Sequence, residues 1–344
     1  MIGAPVGAPT PGELSRLGGS LPYEADRPHA VGVKIRTEQL IGVVVDVDGE
    51  IARPRPRGNA LAARRRPIGR TEVDTVVPAV ADLVRELVAM DPAFENPVGV
   101  GIEISGQVDA NAGTVLRSHR MGWQRPVPLA RLLEEVTGYR TMVDHDVKIL
   151  VQAEQLFGLG EGHRSFAVVT AGLGIGAGLV VDYEVRRGMS DTAGELGHMV
   201  LDPDGEPCSC GNRGCLETVA GTEAILRRLH AAGRTEVHDI ERAAELARSG
   251  DEAAREAFRH AGRALGYGLS WLVNWMNPGL VVVRADPALR DSMVYEEAAL
   301  AAYRAHVFYG SVGACDVVFR HHEHELGARS AGSMVLSLLG DRLA

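Results

Sequence analysis

The strongest constraint on this chain is a phrase that it uses twice. Gly42-Val43-Val44-Val45-Asp46 and Gly178-Leu179-Val180-Val181-Asp182 share one Gly-apolar-apolar-apolar-Asp pattern. The order of elements around each is also the same: a strand, a tight connection, a strand closed by the phrase, then a turn and a third short strand. In the first copy the strands are Val31–Ile35 and Leu40–Val45, with a third near Glu50–Arg53; in the second they are Phe166–Thr170 and Leu179–Val181. Five matched positions carry little weight, but repetition of the element order predicts two α/β lobes on one plan, with a ligand cleft between them. A length of 344 residues suits two domains, each able to bury its own core.

Other elements follow from apolar spacing. Val76, Val77, Val80, Leu83 and Leu87 recur at three- and four-residue intervals and predict a helix over Val73–Met90. Val98–Ile104 and Thr141–Val143 read as strands, and Leu129–Val136 and Val147–Leu156 as helices. Ala261–Met276, with Trp271 and Trp275, is an apolar helix before the strand Leu280–Val283, and Ser330–Leu339 is a closing helix. Residues 1–30, rich in Gly, Pro and Ala, are expected to be a flexible lead-in. The first lobe is expected over 31–143, joined by the C-terminal helix 326–341, and the second over 144–325.

The chain has four cysteines, and three of them, Cys208, Cys210 and Cys215, fall within eight residues. A disulfide framework would spread its cysteines, so these thiols read as metal ligands. With His198 of Glu195-Leu196-Gly197-His198 they complete a Cys3His set, which suits a closed, structural zinc site. Gly211 and Gly214 let Cys215 return to the metal. Three buried, metal-free thiols are the competing reading, and the Asp, Asn, Arg and Gly around them make a poor apolar pocket. One imidazole nitrogen of His198 on the metal would fix the ring and aim the other at a ligand. Glu195 and Glu217 bracket the site; two carboxylates and an imidazole suit a polyhydroxylated ligand such as a sugar, and solvated surface charge is the equal alternative. Cys315 reads as plain core.

A net charge of −9 argues against a surface-wide polyanion binder. No eighteen-residue apolar run and no signal peptide are visible, so a cytoplasmic protein without membrane association is expected. Two charged stretches read as solvated segments: the arginine-rich Arg53–Arg70 as a hairpin tip, and His321-His322-Glu323-His324-Glu325 as a loop before the last helix.

Glu195-x-Gly-His198 and Cys208-x-Cys-Gly-x-x-Gly-Cys215-x-Glu217 resemble the sugar-contact and zinc motifs of the ROK family of repressors, open reading frames and sugar kinases. The resemblance runs from about Val31 to Leu339. It includes Gly101-Ile102-Glu103-Ile104-Ser105-Gly106-Gln107-Val108-Asp109, with Ser105 where Pro is common, and Asn111–Trp123. It implies a duplicated two-lobed α/β fold of the actin-like, hexokinase-like (ribonuclease H-like) class, a sugar or sugar phosphate as partner, and homodimers or tetramers. Ligand contacts would come from His145, Asp146, Glu195, His198 and Glu217, and Asp146 would be the catalytic base in a kinase.

The same comparison counts against ATP and magnesium. Where family kinases open with Asp-x-Gly-Gly-Thr, this chain has Lys34-Ile35-Arg36-Thr37-Glu38. Both glycines are replaced by residues whose side chains obstruct a close backbone approach to phosphate. Gly172-Leu173-Gly174 stands for Gly-Thr-Gly, and Arg284-Ala285-Asp286 for a Gly-Gly pair; His145 replaces the Asn before Asp146. The expected function is therefore a non-catalytic, sugar-sensing regulatory protein with a structural zinc. The alternative is an ATP-dependent, glucokinase-like sugar kinase with an atypical nucleotide site. Family repressors carry a winged helix-turn-helix ahead of the sugar module. Gly18–Asp26 resembles the segment that follows it, so DNA would be reached only through an element absent or truncated in this sequence.

Overall fold

A computed structural model describes residues 28–46, 60–311, 313–322 and 324–343. Most of the lead-in and the short strand expected near Glu50–Arg53 lie outside the described residues.

The chain divides into two compact units. The first holds β1 (His29–Ile35), β2 (Gln39–Asp46), β3 (Ala60–Pro67), β4 (Val100–Ile104), β5 (Gln107–Asp109), β6 (Thr114–Arg117) and β7 (Thr141–His145). Its helices are α1 (Val73–Val88), α2 (Leu129–Thr137), α3 (Asp146–Phe157) and α10 (His324–Leu343). The second holds β8 (Phe166–Ala171), β9 (Ile175–Val181), β10 (Glu184–Val185), β11 (Leu280–Ala285) and β12 (Asp316–His321). Its helices are α4 (Glu217–Ala220), α5 (Thr222–Ala231), α6 (Ile240–Arg248), α7 (Glu252–Met276), α8 (Pro287–Asp291) and α9 (Val294–His306).

The duplication expected from the repeated phrase is present in the topology. The sheets run β3-β2-β1-β4-β7 and β10-β9-β8-β11-β12. In each, the first three strands in chain order are antiparallel neighbours and the next two add in parallel. Both copies of the phrase close the second strand of their sheet. β1 is buried along its whole length because both faces are covered, which is why it is apolar apart from His29 and Lys34. Val31, Val33 and Ile35 pack with residues of α1 and α2, while Ala30, Ile41, Val43 and Val45 pack with Ala328, Val335 and Leu336 of α10.

That α10 contact is set by absent side chains. A Cβ on Gly32 or Gly101 would collide with the carbonyl oxygen of Ala328 or Ala331, so the helix lies directly on the sheet backbone. In the second unit, Gly262 and Gly266 of α7 admit the backbone of α9 in the same way. The second core gathers α5, α6, α7 and α9 against β8 and β11, with Cys315 buried within it as expected.

Several boundaries differ from the sequence reading. The first unit continues through α3 to Gly162, beyond the boundary expected at 143, because α3 packs on α10. β9 begins at Ile175, so most of the glycine run is strand and only Gly172–Gly174 makes the turn. α7 begins at Glu252, where the Asp251 carboxylate accepts the Ala254 N–H at 2.9 Å. Arg64, Arg65 and Arg66 lie on β3 rather than at a hairpin tip, with Arg66 paired to Asp82 and Glu86 of α1. His321 closes β12 and His324 opens α10, which leaves no loop of the expected length. No helix of the described residues is long and apolar enough to cross a membrane.

Candidate functional site

The cysteine knot is built by backbone contacts that only particular residues allow. Ala177 of β9 donates its N–H to the Gly194 carbonyl at 2.8 Å; a Cβ on Gly194, whose φ is +94°, would strike the Ala177 carbonyl. Leu196–His198 then forms one tight turn. The chain returns through an isolated bridge between Val200 and Cys215. A second, Pro207 with Arg213, closes the small loop that carries Cys208 and Cys210. Gly211 and Gly214 both adopt positive φ, +96° and +61°, and a Cβ on Gly214 would collide with the Asp202 carbonyl. These glycines return Cys215 to the other thiols, the role expected of them.

His198, Cys208, Cys210 and Cys215 each present one ligand atom, and these four atoms lie within 4.8 Å of one another. Cys210 Sγ is 3.6 Å from Cys215 Sγ, and Cys208 Sγ is 3.4 Å from His198 Nδ1. A tetrahedral ion with metal–sulfur bonds of about 2.3 Å separates its ligands by about 3.5–3.8 Å. The donor set, soft thiolates with one imidazole, suits zinc in chemistry, and two of its donor pairs already stand near that spacing. Burial pushes the Cys208 thiol up to about 12 and raises Cys215 too. Burial also acts upward on Cys210, but the Asn212 N–H and the adjacent thiols outweigh it and hold that group below its ordinary value.

Two carboxylates flank the imidazole. Glu217 Oε1 lies 3.7 Å from His198 Nδ1 and 3.3 Å from Cys208 Sγ, and Glu195 Oε2 lies 3.8 Å from His198 Nε2. The outward nitrogen of His198 thus faces Glu195, and Glu217 opens α4 beside the knot.

In the first unit, His145 caps α3 and Asp146 is its first residue. Asp146 Oδ1 accepts the Val147 N–H at 2.7 Å and lies 3.2 Å from His145 Nδ1. Lys34 and Glu103 are opposed in register on the parallel strands β1 and β4, and Lys34 Nζ lies 2.6 Å from Glu103 Oε1. Glu103 is 1% exposed, and its Oε2 has no hydrogen-bond partner among the described residues. Burial raises the Glu103 carboxyl above its ordinary value and Asp146 adds to that, while Lys34 and His145 oppose it. Gly327 of α10 sits against this carboxylate with no room for a side chain. The sequence reading missed Glu103; its signal was a charge inside an apolar strand.

The rest of the first expected phosphate loop, and the other two, are held by internal bonds as well. Arg36 pairs with Glu38 at 2.7 Å across the β1–β2 turn. Arg284 donates to the His321 carbonyl, and Asp286 caps α8 by accepting the Ala288 N–H at 2.9 Å. Gly172 and Gly174 close their own turn, and Leu173 is exposed there.

Two units of one sheet topology define a protein of the two-lobed, actin-like α/β class. The chain belongs to the ROK family, which it matches over residues 32–337. The DNA-binding transcriptional repressor Mlc of Escherichia coli is 31% identical over 234 residues, 62% of this chain and 56% of that protein. A glucokinase of Halalkalibacterium halodurans is 34% identical over 162 residues, 47% of this chain and 48% of that protein. A glucokinase of Streptomyces griseus, solved with glucose and AMPPNP, superposes with a TM-score of 0.75 at 25% identity, over 89% of this chain and 98% of that one. The chain spans about half the length of the curated relatives it matches.

Proposed function

We propose that this chain is a sugar-sensing ROK module of the regulator lineage, acting in the cytoplasm without phosphoryl transfer. The observation that carries the reading is the buried Lys34–Glu103 pair at 2.6 Å. By the resemblance read in the sequence, Lys34 takes the position of the Asp that opens the kinase motif, and here that cation is already engaged by a carboxylate. A phosphate group there would have to displace a charge-assisted hydrogen bond in a site without a backbone cradle.

Zinc held by His198, Cys208, Cys210 and Cys215 would have no open coordination position, and it would supply conformational order to the 194–217 segment. Glu195, His198 and Glu217 in the second unit, and His145 and Asp146 in the first, are the proposed contacts for a sugar or sugar phosphate. Carboxylates accept hydrogen bonds from hydroxyl groups, and the fixed imidazole contributes one more polar atom. Ligand binding would then shift the module between conformations according to its differential affinity for them.

One observation favours the kinase reading. Asp146 is retained at the start of α3 with a carboxylate oriented by the Val147 N–H, as a general base would require.

Thermal shift against a panel of sugars and sugar phosphates tests the proposal. A ligand at 100 times its Kd adds about 2.7 kcal/mol. One sugar is expected to raise the unfolding temperature of the wild type, and Glu195→Gln is expected to lose the rise while keeping the unliganded midpoint. No response to any sugar would overturn the reading.

A further inference from the structure

One segment of the first unit carries one-sided charge that the proposed ligand contacts do not use. Residues 110–133 include Arg117, His119, Arg120, Arg125 and Arg131 and no Asp or Glu, in a chain whose net charge is −9. The segment runs from the β5–β6 turn through β6 and a second tight turn into α2. In that second turn Ser118 donates its N–H to the Trp123 carbonyl at 2.9 Å and Trp123 returns one at 2.8 Å. Gly122 closes it with a φ of +72°. Three buried residues pin the turn. Met121 and Trp123 belong to the core of the first unit, the Trp123 indole donates to the Thr71 carbonyl at 2.6 Å, and Ser118 Oγ donates to the Ser105 carbonyl at 2.6 Å. The residues around these anchors, Arg117, His119, Arg120 and Arg125, are exposed.

We infer that this turn is a docking surface for an acidic, extended peptide segment of a partner protein. Unmatched charge makes the first argument. Exposed arginines such as Arg164, Arg186 and Arg242 each meet a carboxylate of this chain. Among the described residues, no carboxylate lies within ion-pair distance of Arg117, His119, Arg120 or Arg125. Arg117 instead gives two N–H groups to the neutral Gln124 amide oxygen, at 3.1 and 2.8 Å. Order makes the second argument. A turn held by buried anchors presents its cations without an ordering cost on binding, and a guanidinium takes a carboxylate through two parallel N–H bonds. Net charge selects the class of partner. The other 32 of the 36 Lys and Arg residues face 45 Asp and Glu, so a long polyanion is repelled by the rest of the surface. A segment with a few carboxylates meets the turn and little else. The inference stands apart from the sugar reading, since none of the proposed sugar contacts lies in residues 110–133.

Fluorescence anisotropy of a short labelled peptide of alternating Glu and Ser, titrated with the full chain at about 50 mM salt, tests it. The peptide is expected to bind with a Kd of about 1 mM or below, and to weaken several-fold at about 300 mM salt, where exposed charges are screened. The same peptide with Gln for every Glu is expected not to bind. Arg120→Ser/Arg125→Ser is expected to weaken binding at least tenfold. Arg255→Ser/Arg304→Ser, which removes the same charge from the second unit, is expected to leave it unchanged. All four arginines are exposed, so unchanged thermal midpoints will show that the fold is kept. An acidic peptide that does not bind, or an equal loss in both double variants, overturns the docking surface. A short DNA duplex bound more tightly than the peptide, through Arg120 and Arg125, assigns the turn to nucleic acid and overturns it too.

Discussion

Cys215→Ser is expected to strip the metal from the second unit and to lower its unfolding free energy by several kcal/mol. Cys215 is buried, and its sulfur lies within ligand distance of the other three donors. Structural zinc contributes about 10–16 kcal/mol in isolated zinc-finger peptides, where the metal is most of the core. Here the knot adjoins a core of its own, with Leu216, Ala220 and Ile225 among the buried residues, so the loss should be smaller. A few kcal/mol lowers the midpoint of a domain of this size by roughly 10 °C. Purified wild type should hold about one zinc per chain by elemental analysis, and a strong chelator should reproduce the variant's melting curve. Cys315→Ser serves as the control: that thiol is also buried in the second unit, but it is not among the four clustered donors, so its substitution should leave the zinc content unchanged. If the three thiols were metal-free core, Cys208→Ser, Cys215→Ser and Cys315→Ser would have similar, small effects and no zinc would be found.

The second large effect is expected at the Lys34–Glu103 pair. Glu103→Gln removes the carboxylate 2.6 Å from the Lys34 ammonium while leaving the cation inside the sheet, and breaking a buried pair from one side costs about 3–5 kcal/mol. Lys34→Met/Glu103→Met removes both charges and replaces them with adaptable apolar chains. It should fall within about 1–2 kcal/mol of the wild type or exceed it. The orphaned Glu103 Oε2 is a reason to expect the double variant to do well, because a half-satisfied buried pair carries desolvation that its hydrogen bonds do not offset. Urea unfolding of the three proteins decides the matter.

The pair also sets a pH dependence. Burial raises the folded pKa of Glu103, so the folded state holds that proton to higher pH than the unfolded chain does. Its stabilising contribution is full below the unfolded carboxylate value of about 4.3 and is lost as pH rises through the folded value. The stability of the wild type relative to the double methionine variant should therefore fall on going from acidic to neutral pH.

How much of this was legible in the sequence depended on how far apart the cooperating residues are. The four candidate metal donors lie within eighteen residues, so their spacing could be read directly, and the glycines that turn the chain are among them. The duplicated sheets were legible because each second strand ends in the same phrase. Lys34 and Glu103 are sixty-nine positions apart, and only the parallel register of β1 with β4 brings them together. A lysine in an apolar run reads as an irregularity until its partner strand is known. Arg64–Arg66 misled for a related reason: a run of positive charge reads as solvated, but here β2 supplies the backbone pairing and Asp82 and Glu86 of α1 supply the charge. The start of α7 was lost because Glu252–His260 is mostly polar, and its cap, Asp251, is visible only once the helix is known.

The central expectation is that this module binds a sugar without passing phosphate to it. The most direct measurement is to incubate the chain with the sugar that stabilises it, ATP and magnesium, following ADP release in a coupled assay and the heats of sugar and nucleotide binding by calorimetry. The proposed contacts around His198 and Asp146 predict a sugar heat, and the Lys34–Glu103 pair predicts no nucleotide heat and no ADP above background. Turnover that appears with the wild type and vanishes in Asp146→Asn would contradict it.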